Sequence, residues 1–264
     1  MLQNRNAVIY GGGGVIGGAV ARAMARAGAR IFLAGRTRSK LDATVQAIVA
    51  DGGFAEAAEV DALDEAAVQR HADAVAAKAG SIDVALNAVG VAHVQGVPLA
   101  ELTVADYAYP VTVYTQTNFI TARAVARHMQ RQQSGVLLML STPVSRMPGP
   151  GFLGHCVACA GIEALTRHLA GELGASGVRV VCLRSHAIAE TVALGSHSEA
   201  VFQSVADRAG IGLDVMLEGC AGSTLLKRLP TLGQLADTAV FVASDSAGAM
   251  TGAVVNLTAG FVLD

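Results

Sequence analysis

Two groups of residues in this sequence have the types and spacing to do chemistry. The first is Gly11-Gly12-Gly13-Gly14-Val15-Ile16-Gly17, which follows the short apolar run Asn6–Tyr10 and opens an Ala/Arg-rich stretch from Gly18 to Ala29. Strand, glycine turn and helix in that order can grip a phosphate. Missing side chains let the backbone approach a pyrophosphate, and the free amides of a helix start supply donors and a favourable dipole. Gly12, Gly14 and Gly17 keep the GxGxxG spacing of a dinucleotide-binding turn, although glycine-rich turns also serve simply to pack a strand on a helix. Further on, Ile31-Phe-Leu-Ala-Gly35 ends without a carboxylate and is followed by Arg36 and Arg38. An acid there would bind a ribose hydroxyl, whereas arginine accommodates a 2′-phosphate, so NADP(H) is favoured over NAD(H). The plainer reading is a pair of solvated arginines at a helix start.

The second group is His155-Cys156-Val-Ala-Cys159. His155 and Cys159 are four apart and would share one face of a helix. A CxxC with no second CxxC or HxxxH falls short of the four ligands of a structural metal site, so no metal is expected, and small buried thiols are the commoner meaning. A nucleophilic Cys159 would need a thiolate, and the one cation in reach would be a protonated His155. His93 and Gln95 read as plain loop residues near a cleft. His186 reads as a solvated turn residue in preference to a substrate contact.

The elements that must position these residues alternate along the whole chain. Apolar runs near 6–10, 30–34, 54–60, 82–87, 135–141, 178–183 and 253–257 predict strands. Helical patterns fill the gaps near 16–28, 38–51, 64–79, 103–131, 152–175 and 232–244. Such alternation implies an α/β fold of the Rossmann type, a doubly wound parallel sheet of seven strands with helices on both faces. Ligands of that fold sit beyond the carboxyl ends of the strands. With 264 residues, 52% hydrophobic and 15% charged, and no linker-like tract, the chain reads as one domain over 1–264. The rhythm breaks at 190–226, where an insertion of loop plus helix reads either as a lid over the site or as a packing excursion or oligomer contact.

A formal net charge of −2 without Lys/Arg clusters gives no footprint for nucleic acid or an anionic membrane. The long uncharged stretch 246–263 is broken by Gly248, Gly252, Asn256 and Gly260 and reads as turn and strand, not as a membrane span. The first residues lack the apolar segment of a signal peptide, so a cytoplasmic location is expected, with Cys156, Cys159, Cys182 and Cys220 as thiols.

Taken together, the glycine turn, Arg36, Asp61-Ala62, Asn87-Ala88-Val89-Gly90, the phrase Glu163–Leu173, Val178-Arg-Val180 and Phe241–Asp245 through Thr251-Gly252 resemble the short-chain dehydrogenase/reductase family over nearly the whole chain. The resemblance implies cofactor contacts from Gly11, Gly12, Gly14, Ile16, Gly17, Arg36, Asp61, Ala62, Asn87, Ala88, Gly90 and the backbone of Ile188, with Asp61 on the adenine amino group. It also implies a homotetramer or dimer and a small-molecule substrate. Asp61 reads alternatively as a helix cap, and Asn87 as a bridge between loops. Two family positions differ in the turn itself, where Tyr10 stands for Thr and Val15 for Gly.

The catalytic positions depart further. The family carries Asn, Ser, Tyr and Lys, with Tyr and Lys four apart so that the ammonium lowers the phenol's pKa. Here His155 falls at the Tyr position, Cys159 at the Lys position and Thr142, beside Ser141, at the Ser position, while the Asn position falls near Tyr114 and one turn before Asn118. Two readings follow. In one, NADP(H)-dependent oxidation or reduction of a carbonyl/alcohol pair persists, with His155 as the proton donor because its ordinary pKa is close to working pH, and Thr142 or Ser141 on the substrate oxygen. In the other, the fold has left that chemistry for a lyase, isomerase, cyclase or ligand-binding role.

Overall fold

The computed structural model describes residues 1–264. Seven parallel strands, β1 (Asn6–Tyr10), β2 (Arg30–Gly35), β3 (Phe54–Glu59), β4 (Val84–Asn87), β5 (Gly135–Ser141), β6 (Val178–Ser185) and β7 (Ala253–Leu257), form one sheet in the order β3-β2-β1-β4-β5-β6-β7. Helices α1 (Val15–Arg26), α2 (Arg38–Ala50), α3 (Glu65–Ala79), α4 (Val104–Gln132) and α5 (Leu153–Leu173) alternate with the strands. Three more, α6 (Ala189–Ala193), α7 (His197–Ala209) and α8 (Leu213–Ser223), precede α9 (Leu232–Ala243). This is the doubly wound fold that the alternating pattern implies.

The pleat of each strand sends successive side chains to opposite faces, which divides the core in two. Ala7 and Ile9 of β1 join Val20 and Met24 of α1, Leu41 of α2 and Leu235 of α9 on one face. Val8 and Tyr10 join Val68 of α3, Val125 and Met129 of α4 and Ile162 of α5 on the other. Both faces being covered, the central strands are mostly apolar, and each fully buried Val, Leu or Ile contributes roughly 1.5–3 kcal/mol.

The strand order reverses between β1 and β4, and there the two strands end level. Tyr10 pairs with Asn87, and the Ala88 amide donates to the Tyr10 carbonyl at 2.8 Å. The loops that follow, starting at Gly11 and Ala88, therefore leave the sheet side by side and open the crevice this topology provides. No helix is long and apolar enough to cross a membrane.

The segment 190–226 is more helical than the sequence expectation of a loop plus a helix. Its Ser/His/Ala-rich half hides a complete set of helix ends. The Ser196 side chain caps the start of α7, Glu199 lies in the first turn, and Gly210 closes the helix in the left-handed conformation. None of the residues of α8 is buried.

Candidate active site

The turn between β1 and α1 is built by contacts that only glycine allows. Gly11 has φ +77°, and a β-carbon there would stand 2.5 Å from the Ala88 carbonyl oxygen. A β-carbon on Gly17 would run into the Gly11 carbonyl, and one on Gly12 would lie 2.7 Å from Cδ2 of Leu33. The glycines thus divide their work. Gly12 and Gly17 close the turn against its neighbours, while Gly11, Gly13, Gly14, Val15 and Ile16 face the cleft. Gly14 caps α1 without a side chain, so the first amides of the helix stay free to meet an anion.

The cleft has a volume of about 230 Å³ and runs from this turn to both sides. At one end Gly35, Arg36, Thr37 and Lys40 form the wall, with Asp61, Ala62 and Leu63 beside them; at the other stand Ala88, Val89, Gly90, Val91, Ser196 and His197. These residues fit a dinucleotide: bare backbone at a helix start lies in the middle, and two cations lie at one end.

Several expected residues take other places. Arg38 points away from the cleft to Asp42, one turn on, at 2.9 Å, and Lys40 stands in the wall instead. Lys40 carries no sequence signal beyond its position in the first turn of α2. Asp61 lines the cleft, but its carboxylate accepts from the Leu63 amide at 3.0 Å, and the cap of α3 is Asp64. Asn87 is buried behind the cleft wall, donating to Thr121 at 3.0 Å and accepting from the Val89 amide at 3.0 Å. Ile188 lies in the core, and its carbonyl accepts from the Thr191 amide and hydroxyl. His186 is not a solvated turn residue. Its Nδ1 accepts from the Ala187 amide at 2.6 Å, its ring packs 4.5 Å from that of Phe261, and burial pushes its pKa down to about 4.

Beyond Val91 and His197 a second cluster adjoins the cleft. The residues of α5 place His155 in its first turn and Cys159 one turn later on the same face. Both face Thr142 at the end of β5. The Thr142 hydroxyl lies 3.2 Å from Nε2 of His155 and 3.4 Å from Sγ of Cys159, and Sγ is 3.7 Å from Nε2. Tyr114 and His93 complete the cluster. The Tyr114 hydroxyl donates to the Val91 carbonyl at 3.4 Å, and the His93 ring lies against that of His155 with centroids 4.4 Å apart. His93 is thus part of the cluster and not a plain loop residue, because a hydrogen bond from its ring to the Val91 carbonyl at 2.8 Å folds the loop back on itself.

The electrostatics of the cluster correct one expectation. Burial, followed by the neighbouring His93 and His197, drives the His155 pKa down to about 3, so at neutral pH His155 is an uncharged imidazole and not a poised acid. Burial also pushes the Cys159 thiol up to about 11, which keeps it protonated and unsuited to nucleophilic attack.

Ser141 is turned away from this cluster. Its hydroxyl donates to Oε1 of Glu163 at 2.7 Å, where the Ser145 hydroxyl at 2.6 Å and Nε of Arg184 at 2.8 Å also arrive. Burial works to raise the Glu163 carboxyl, but the hydrogen bonds from Arg184, Ser145 and Ser141 prevail and hold it below the usual range. This buried network, which Arg184 extends to Asp264, braces the backbone on either side of Thr142. The partnership of Arg184 with Glu163 has no local signature, since the two are 21 residues apart on different elements.

Comparisons with known proteins agree with this architecture. A family model described as enoyl-(acyl carrier protein) reductase matches residues 13–262. The chain is 28% identical to D-threitol dehydrogenase of Mycolicibacterium smegmatis, covering 99% of this chain and 94% of that protein. It is 31% identical to the short-chain reductase protein NovJ of Streptomyces niveus, over 98% of this chain and 94% of that protein. The crystal structure of levodione reductase superposes with a TM-score of 0.89 at 24% identity, covering 98% of each chain. The chain belongs to the short-chain dehydrogenase/reductase family. It is an oxidoreductase of the nicotinamide-dependent kind.

Proposed function

We propose that the protein transfers hydride between NADP(H) and a small carbonyl/alcohol substrate, with Thr142 and His155, at the family's serine and tyrosine positions, doing the work of its tyrosine and lysine. The observation that carries this reading is the 3.2 Å contact between the Thr142 hydroxyl and Nε2 of His155, beside the cleft end formed by Gly90, Val91 and His197. The dehydrogenase and reductase names of the relatives support the reaction class, D-threitol being an alcohol.

The amides at the start of α1 hold the pyrophosphate, and Arg36 with Lys40 takes the 2′-phosphate, a choice supported by the absence of a carboxylate at the end of β2. Asp61 and Ala62 flank the adenine, and Ala88 and Gly90 flank the rest of the dinucleotide. When bound, the nicotinamide gives hydride to the substrate carbon or takes it back. The Thr142 hydroxyl holds the substrate oxygen. In the oxidising direction the alcohol proton passes to Thr142 while the hydroxyl proton of Thr142 passes to Nε2 of His155, and the transient imidazolium sheds a proton to solvent. In the reducing direction both return along the same contact. The imidazole is uncharged at rest, and because burial gives it little affinity for a proton, the charge it takes up during the transfer does not stay beside the reacting carbon. The helices α6 to α8 act as the lid of this site, His197 closing over Gly90.

The test is to mix the purified protein with NADPH and a panel of neutral ketones and aldehydes while following nicotinamide absorbance. NADPH consumption that disappears in Thr142→Val supports the reading. Cofactor binding with no consumption across the panel, and none in the reverse direction with alcohols, contradicts it.

A further inference from the structure

The two nitrogens of His93 can be assigned from their partners. A backbone carbonyl only accepts, so Nδ1, 2.8 Å from the Val91 oxygen, carries the proton. Nε2 is then bare and accepts from the side-chain amide of Gln95 at 2.8 Å. Both nitrogens are satisfied in the uncharged ring, and a second proton would face the amide donor of a buried glutamine. The plane of this ring lies 29° from that of His155, with centroids 4.4 Å apart, and Tyr114 meets both rings at 5.8 and 5.9 Å.

We propose that His93 is a positioning residue acting through His155: an uncharged imidazole plate, fixed by the Val91 carbonyl and the Gln95 amide, that holds the His155 ring uncharged and aimed at Thr142. The proposal rests on the reading of Thr142 and His155 as the pair at the substrate oxygen. It adds why that pair works without an ammonium.

The surroundings of His155 supply no charge that would protonate it. His93 faces it from the loop after β4, His197 from α7, Tyr114 from α4 and Cys159 from its own helix. The carboxylate of Glu163, one turn beyond Cys159, is taken up by Ser141, Ser145 and Arg184. His93 and His197 are themselves held uncharged by burial, the latter down to about 4. A proton on any one of the three would be repelled by a proton on the next, so the plate makes the uncharged state of His155 mutual.

The test follows the histidine ring signals of the full chain by NMR from pH 4.5 to 8, with the His155 signal assigned by its loss in His155→Gln. The native protein, His93→Phe and His93→Ala are compared. The proposal expects a His155 ring that does not titrate over this range in the native protein or in His93→Phe, which keeps a flat uncharged plate. In His93→Ala, which admits water, the midpoint rises from about 3 by about two pH units or more and the titration enters the range. His93→Ser makes the same measurement should the alanine variant fail to fold.

A native His155 that titrates near 6.5, a silent His155 in the truncated variants, or a titrating one in His93→Phe overturns the proposal. Activity supplies a second readout. The pH dependence of kcat is flat between pH 5.5 and 8 in the native protein and acquires a limb in His93→Ala, whereas a merely structural role would lower kcat at every pH alike. If no turnover is found at all, the proposed reaction fails while the NMR titration still decides the role of His93.

Discussion

The Thr142 hydroxyl stands 3.2 Å from Nε2 of His155 and 3.4 Å from the Cys159 thiol, so three side chains from the end of β5 and from α5 meet at the positions that the resemblance aligns with the family's serine, tyrosine and lysine. If this contact carries the proton, removing either partner costs turnover and spares cofactor binding. Thr142→Val and His155→Phe are each expected to lower kcat by about 10²–10⁴, the usual range for proton transfer by a positioned side chain. Calorimetry should find their NADPH affinity within about twofold of native, because neither residue lines the dinucleotide cleft.

Cofactor choice is expected to reside in Arg36 and Lys40. Hydrogen bonds to charged groups are worth about 1.5–3 kcal/mol, so replacing either residue by alanine should weaken NADPH about 10- to 150-fold and leave NADH unchanged. Arg38→Ala serves as the control, since that side chain is occupied by Asp42. Equal loss for both coenzymes would move the 2′-phosphate elsewhere.

Gly11→Ala should damage the turn and the protein together. The new β-carbon meets the Ala88 carbonyl, and the φ of +77° disfavours any L side chain. A stability loss of about 1–3 kcal/mol in denaturant unfolding is expected, with NADPH binding lost as the amides of the turn shift.

The Glu163–Arg184 pair, with side chains 7% and 2% exposed, is too deep for one partner to be removed harmlessly. Glu163→Gln leaves the guanidinium with only the half-exposed Asp264 as counter-charge and should cost up to about 3–5 kcal/mol. The double variant Glu163→Met/Arg184→Met is expected to recover most of that loss. If Thr142 depends on this bracing, the double variant should remain stable and still be slow.

Stability should fall on the acid side of neutrality. His155 has a folded-state pKa of about 3 and His71, His186 and His197 of about 4, against 6.5 for the free group, all through burial first. Below 6.5 the unfolded chain binds protons that the folded chain does not. The stability present above 6.5 is therefore lost as pH falls through the window toward 4 and 3, by at most about 1.4 kcal/mol per pH unit for each such ring. Calorimetric melting at pH 7.5, 6 and 5 measures the slope, and a flat or rising Tm would contradict the buried, uncharged state of these histidines.

The order of elements was legible because both signals are local. A glycine turn after an apolar run, and alternation of apolar strands with Ala-rich helices, each lie within a few residues. The places of His155, Cys159 and Thr142 were legible by position alone. What they do was not, because the charge state of an imidazole is set by what surrounds it. His93 and His197 reach His155 from loops and helices far along the chain, and nothing in their own neighbourhoods marks them. Lys40 is a different case. Arg38 is the cation next to Arg36 along the chain, but Asp42 stands four residues on, a spacing that lets it hold Arg38 on one helix face, and Lys40 is left to line the cleft. Ser141 illustrates the reverse error. A residue adjacent to the expected position points to the opposite side of its strand, and there Glu163 and Arg184 claim it.

The claim on which the rest depends is that the cleft at the end of β1 and β4 is a nicotinamide dinucleotide site with its 2′-phosphate end at Arg36 and Lys40. Isothermal titration of the purified protein with NADPH and, separately, NADH measures it. One molecule of NADPH bound per chain, more tightly than NADH and with the difference abolished in Arg36→Ala/Lys40→Ala, is the expected result. No binding of either coenzyme by the folded protein would contradict it.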